Sequence, residues 1–83
     1  MRLVWDEPKR RRNIAKHGLD FAVLTGEFFE ASTIYPGKAG RLIAVGELRG
    51  QTMVAVVFRP LGSEALSVIS MRPASKQERR RRQ

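Results

Sequence analysis

In the stretch WDEPKRRRNIAKHGLDF, Lys9, Arg12, Asn13 and Lys16 recur at helical spacing and His17 follows directly. At about 100° per residue, a helix gathers the first four into one stripe with His17 at its edge. Three cations, an amide and an imidazole on one side can all donate to anionic oxygens, the chemistry of phosphate binding. Histidine titrates nearest neutrality of all side chains, and a neutral imidazole can take a proton from a ribose 2′-hydroxyl. Plainer readings stand beside these. Composition alone favours a solvated helix face, and a histidine in a last helical turn also bonds a free carbonyl. Arg10 and Arg11 read as general surface charge. Asn13 reads as a cap on a backbone group near His17. No metal is expected, because one histidine, no cysteine and scattered acids give no ligand set of known spacing. The glycines form no phosphate loop, and no serine stands in a nucleophile elbow.

These residues need a helix to carry them. Asp6 is a natural N-cap, Pro8 fits the first turn, and residues 9–17 read as helical up to Gly18 as C′ residue. Ile14 and Ala15, away from the stripe, are the expected contacts to a sheet. Asp20 is expected to cap a second helix, FAVLTGEFFEA, with Phe21, Leu24, Phe28 and Phe29 on one apolar face. Gly26 weakens that helix. RLVW before the first helix reads as a short strand.

From Ser32 the pattern is that of strands. STIY leads to a glycine-rich turn at 36–40. RLIAVGEL and TMVAVVFR are joined by a hairpin at Arg49-Gly50-Gln51, and PLGSE turns into ALSVISM. Their long apolar runs predict central, covered strands. Pro73 breaks the last one, and Ser75 and Glu78 form a capping box for a helix through KQERRRR. The expected order is β-α-α-β-β-β-β-α, one α+β domain over 1–83 with a sheet packed against helices.

A net charge of +8 and a pI of about 11.4 imply a polyanionic partner: nucleic acid, an anionic membrane or an acidic protein. The longest apolar run, residues 53–58, is far below the roughly 20 residues of a membrane span. The opening MRLVWDEPKRRR has no apolar core of a secretory signal. With no cysteine, these features predict a cytoplasmic protein.

The opening stretch resembles the signature of the BrnT family of toxins, W-D-x-x-K-x-x-x-N-x-x-K-H-G-[hydrophobic]-x-F, through Trp5, Asp6, Lys9, Asn13, Lys16, His17, Gly18 and Phe21. GRLIAVGEL is similar to the family's R-hydrophobic-I-x-I-G strand through Arg41, Ile43 and Gly46. SVISMRPASKQERRRR is similar to its I-S-A-R-x-A-[ST]-x-x-E-R-R segment through Ile69, Ser70, Arg72, Ala74, Ser75, Glu78, Arg79 and Arg80. The resemblance implies a compact RelE-like fold, two helices on an antiparallel sheet. It also implies a ribonuclease toxin of a type II toxin–antitoxin pair that blocks translation. The implied partner is a ribbon-helix-helix antitoxin of the BrnA type, through which the complex binds promoter DNA. Two positions depart from the pattern: Ser67 stands where the family has an arginine, and Arg82 where it often has a tyrosine. If those groups hold or protonate the scissile phosphate, activity here is reduced.

The expected reaction is metal-independent RNA cleavage by the neighbouring 2′-hydroxyl. His17 is the expected base or acid, and Lys9 and Lys16 the phosphate ligands or alternative proton donors. Arg41 and Arg72 are the expected bidentate clamp. Arg41 also reads as an edge-strand gatekeeper and Arg72 as a turn cation. Arg12, Asn13, Arg59, Arg79 and Arg80 are the expected RNA contacts, and Trp5 and Phe21 core residues. No cofactor is expected, and a hetero-oligomer with the antitoxin is. The competing readings are a non-catalytic RNA- or ribosome-binding module, a degenerate toxin acting only in its complex, and a direct DNA-binding regulator.

Overall fold

The structure is a computed structural model that describes residues 1–50 and 52–82. Its elements are β1 (Arg2–Trp5), α1 (Glu7–His17), a short 3-10 turn (Phe21–Val23), α2 (Gly26–Ala31), β2 (Thr33–Pro36), β3 (Leu42–Leu48), β4 (Thr52–Leu61), β5 (Ala65–Pro73) and α3 (Lys76–Arg82). The α+β class and the sequence of elements follow the expectation, apart from the break at the 3-10 turn.

The sheet runs β1-β5-β4-β3-β2, so the three most apolar strands are its interior. Strands β2 to β5 are antiparallel, but β1 is parallel to β5, which makes the sheet mixed and corrects the expected antiparallel one. Parallel pairing needs a long connection, which the chain between β1 and β5 supplies, and side-chain alternation carries no sign of strand direction.

One helix from Phe21 to Ala31 was the expectation; two pieces are observed. Asp20 caps the 3-10 turn through the Ala22 N–H, and Leu24 and Thr25 are extended. The Thr25 hydroxyl then accepts from the Phe28 N–H at 3.2 Å and starts α2. A good N-cap directly before a glycine outcompetes continuing a helix through both. The four apolar residues of that segment are buried all the same. They cover the front of the sheet with Ala44, Val54, Val56, Phe58, Leu66, Val68 and Met71, and each buried phenylalanine contributes about 1.5–3 kcal/mol. A Cβ at Gly46 would lie 2.5 Å from the Ser32 hydroxyl and 3.1 Å from the Phe28 ring, so a bare backbone here lets α2 close on β3. Trp5 meets Phe21 edge-on at 6.2 Å, as core residues do.

The wheel of α1 comes out turned. Ile14 and Ala15 are exposed, and Asn13, on the cationic stripe, is buried. The reason is that α1 flanks the edge of the sheet instead of lying on its face. β1 covers β5 only from Ala65 to Val68, and α1 runs beside the rest. The Asn13 side chain accepts from the Met71 N–H at 3.0 Å and donates to the Leu19 carbonyl at 2.9 Å. It satisfies an edge donor that would otherwise cost about 1–3 kcal/mol. Asp6 has the extended backbone of an N-cap, but its side chain caps nothing.

Turns differ in detail. β4 continues through Pro60 and Leu61, which were expected in a turn, and β5 takes in Pro73 as its last residue. The expected hairpin places Arg49 and Gly50 at φ 56° and 71°; its third residue, Gln51, lies outside the described residues. On the back of the sheet α3 lies over a small cluster of Val45, Ala55 and Ala74.

Candidate active site

A cleft of about 400 Å³ opens between α1 and the second half of β5, lined by Lys9, Arg12, Asn13, Lys16, His17, Ile69, Ser70 and Arg72. Two local devices build it. Val57 pairs with Ser70 and Phe58 with Val68, so Ile69 is an extra residue in β5 and the strand bulges beside the helix. Gly18, at φ 69°, closes α1 with its N–H on the Ile14 carbonyl at 2.8 Å, which leaves His17 as the last helical residue.

The sequence stripe and β5 therefore meet. Lys9, Arg12 and Lys16 are exposed, and none has a hydrogen bond or ion pair among the described residues. His17 is half-buried, and its imidazole bonds no carbonyl among them. Asn13 also lines the cleft, but both ends of its amide are engaged by backbone groups.

Arg72 is held by a group that sequence reasoning treated only as a cap. Its Nη1 donates to Glu78 Oε1 at 2.6 Å and its Nη2 to Oε2 at 2.8 Å. Glu78 also accepts from the Ser75 N–H at 2.8 Å and from the Tyr35 hydroxyl at 2.8 Å, and the Ser75 hydroxyl returns a bond to the Glu78 N–H at 3.1 Å. The capping box is present as expected; the ties to Arg72 and Tyr35 are additional. The Arg72 guanidinium, above all, holds the Glu78 carboxyl down at about 2 against the opposing effect of burial, with help from the Ser75 N–H and Tyr35. Glu78 in turn raises Arg72, and burial followed by Glu78 raises the Tyr35 phenol. Arg81 lies over the Tyr35 ring at 4.7 Å. The Nη1–Nη2 fork of Arg72 thus already holds a carboxylate, while the residue also lines the cleft. Tyr35 is 43 residues from Glu78, and no spacing rule signals that pair.

Arg41 is not brought to this cleft. It lines a separate depression with Pro36, Gly37, Lys38, Ile43 and Val57. Arg59 donates to the Ala39 carbonyl at 3.1 Å and is the cross-strand partner of Ser67, one of the two departures from the family pattern. Arg79 and Arg80 are exposed on α3; the Arg82 side chain lies outside the described residues. Arg10 is more than surface charge. Its Nε and Nη2 hold the two Asp20 oxygens at 2.8 and 2.9 Å, and Nη1 holds Glu7 at 2.7 Å. That fork, with the Ala22 N–H, keeps the Asp20 carboxyl below its ordinary range. Among the described residues no three acids or histidines converge as for a metal, and no helix is long and apolar enough to cross a membrane.

Comparison with known proteins places the chain in a family. Residues 5–78 match the family described as the ribonuclease toxin BrnT of type II toxin–antitoxin systems. The crystal structure of the ribonuclease toxin BrnT of Brucella abortus is similar at 62% identity and a TM-score of 0.86, over 92% of this chain and 99% of that one. No curated protein matches. The fold, the match over most of the chain and the likeness to a solved member together show that the chain belongs to the BrnT family of type II toxins.

Proposed function

We propose that the chain is an endoribonuclease that cleaves RNA in the α1–β5 cleft without a metal, inhibits translation, and is neutralised by a ribbon-helix-helix antitoxin of the BrnA type. The observation that carries this reading is one cleft lined by three cations and an imidazole, none of which has a hydrogen bond or ion pair among the described residues. A lining of cations, amide and hydroxyl with no carboxylate suits phosphate oxygens rather than a cation.

In the reaction the 2′-oxygen attacks the adjacent phosphorus and the bond to the 5′-oxygen breaks, leaving a 2′,3′-cyclic phosphate and a 5′-hydroxyl. His17 takes the 2′ proton. An ammonium of Lys9 or Lys16 gives a proton to the leaving 5′-oxygen, and the other, with Arg12 and the free N–H groups of Arg72, stabilises charge building on the phosphate. Glu78 and Tyr35 orient Arg72. Helices packed on a small five-stranded sheet are compatible with the RelE-like fold that the family resemblance implies. The charge of +8 suits both RNA and an acidic antitoxin segment, and promoter DNA is reached only through that antitoxin in a cytoplasmic hetero-oligomer.

The test is incubation of the purified, antitoxin-free protein with RNA in EDTA. Products ending in 2′,3′-cyclic phosphate are expected. Inertness at micromolar protein with a folded circular-dichroism spectrum contradicts the reading. Salt-sensitive RNA binding without cleavage favours the non-enzymatic alternative.

A further inference from the structure

Among the described residues, α3 covers one end of the back of the sheet, lying over Val45 and Ala55. The next rank of the register runs Tyr35–Ile43–Val57–Ser70 across four strands, a span of about 14 Å at the usual strand spacing. Its last member, Ser70, lines the α1–β5 cleft. Its middle members, Ile43 and Val57, are only half-buried and floor the second depression, about 430 Å³ in volume.

This depression pairs an apolar floor with cations. Lys38 and Arg41 line it, no carboxylate does, and the bond from Arg59 to the Ala39 carbonyl ties down the turn that carries Lys38. The Nε of Arg41 is buried and has no hydrogen-bond partner among the described residues. A buried donor without an acceptor is costly and uncommon, and a bound water or ion is one way such a group is completed. An apolar surface for a base beside donors for an anionic oxygen is the chemistry of single-stranded nucleic acid. Val57 and Ser70 are cross-strand partners, so this surface adjoins the reacting cleft.

We infer that the depression is a subsite for the nucleotide next to the scissile phosphate, its base on Ile43 and Val57 and its phosphate on Arg41 and Lys38. This rests on the proposed ribonuclease reading and assigns Arg41 to the neighbouring phosphate instead of the reacting one.

The experiment compares kcat/KM on di-, tri- and tetranucleotide RNAs for the wild type, Arg41→Gln and, as an exposed turn variant, Lys38→Gln. The wild type gains with length. The variants are expected to lose about tenfold of that gain, the equivalent of one charge-assisted hydrogen bond, and to lose less on the dinucleotide, which lacks the neighbouring phosphate. An equal loss on the dinucleotide returns Arg41 to the reacting phosphate and overturns the inference; so does no loss at any length. If the wild type cleaves nothing, the functional reading fails by itself. The subsite is then decided by fluorescence anisotropy with a 2′-O-methyl RNA tetranucleotide. About tenfold weaker binding by both variants supports it, and unchanged affinity overturns it.

Discussion

Arg10 and Arg72 each grip a carboxylate through two nitrogens, yet the two forks sit in different surroundings. The Arg10 fork joins α1 to the cap of the 3-10 turn across ten residues, with its carboxylate 33% exposed. The Arg72 fork joins the last strand to the last helix, and its carboxylate also binds Tyr35 and the start of α3, with a Glu78 side chain only 11% exposed. The same chemistry therefore does two things. At Arg10 it holds a local junction whose carboxylate is partly open to solvent, where ion pairs contribute modestly. At Arg72 it fixes a cation that lines the cleft, and removal of one partner leaves the other poorly solvated.

The largest expected effect is at Glu78. Glu78→Ala removes the capping box, the Arg72 fork and the Tyr35 acceptor together, at about 2–3 kcal/mol, less than for a fully buried pair because Arg72 is 37% exposed. Thermal unfolding should show a loss of about 10 °C or more, and the variant should cleave RNA more slowly even where folded. The same carboxyl predicts an acid limb. It lies at about 2 when folded against an ordinary 4.5. Its stabilisation is complete above about 4.5 and is lost as pH falls from there to about 2. Glu78→Gln should flatten that part of the stability profile; an unchanged profile means the fork contributes nothing.

The smallest effect is at the other fork. Asp20→Asn keeps a capping side chain but discharges the Arg10 partner. It should lower the melting temperature less than Glu78→Ala, in a way that disappears in high salt, and leave cleavage untouched. A slower cleavage rate in this variant would erase the contrast between the two forks.

Much of this was legible in the chain. Periodicity and turn residues placed the strands, Gly18 and the Ser75–Glu78 box ended and began helices where expected, and the stripe on α1 reached the cleft. What failed did so for identifiable reasons. Helical spacing does not tell which side of a short cationic helix faces the protein, and here an asparagine bonded to a strand edge decided it over Ile14. Local capping at Thr25 split a segment whose apolar pattern read as continuous. Arg41 was grouped with Arg72 because both stand at strand ends, and register separates them. Tyr35, on β2, meets Glu78, on α3, across a separation of 43 residues that no local spacing signals.

The central claim is that His17 moves a proton in the α1–β5 cleft. Single-turnover cleavage of RNA by His17→Gln against the wild type, both confirmed as folded, tests it directly. A loss of at least about 100-fold, within the usual range for general acid–base groups, is the predicted result. A variant that cleaves at the wild-type rate would contradict the account and reduce His17 to the last residue of a helix.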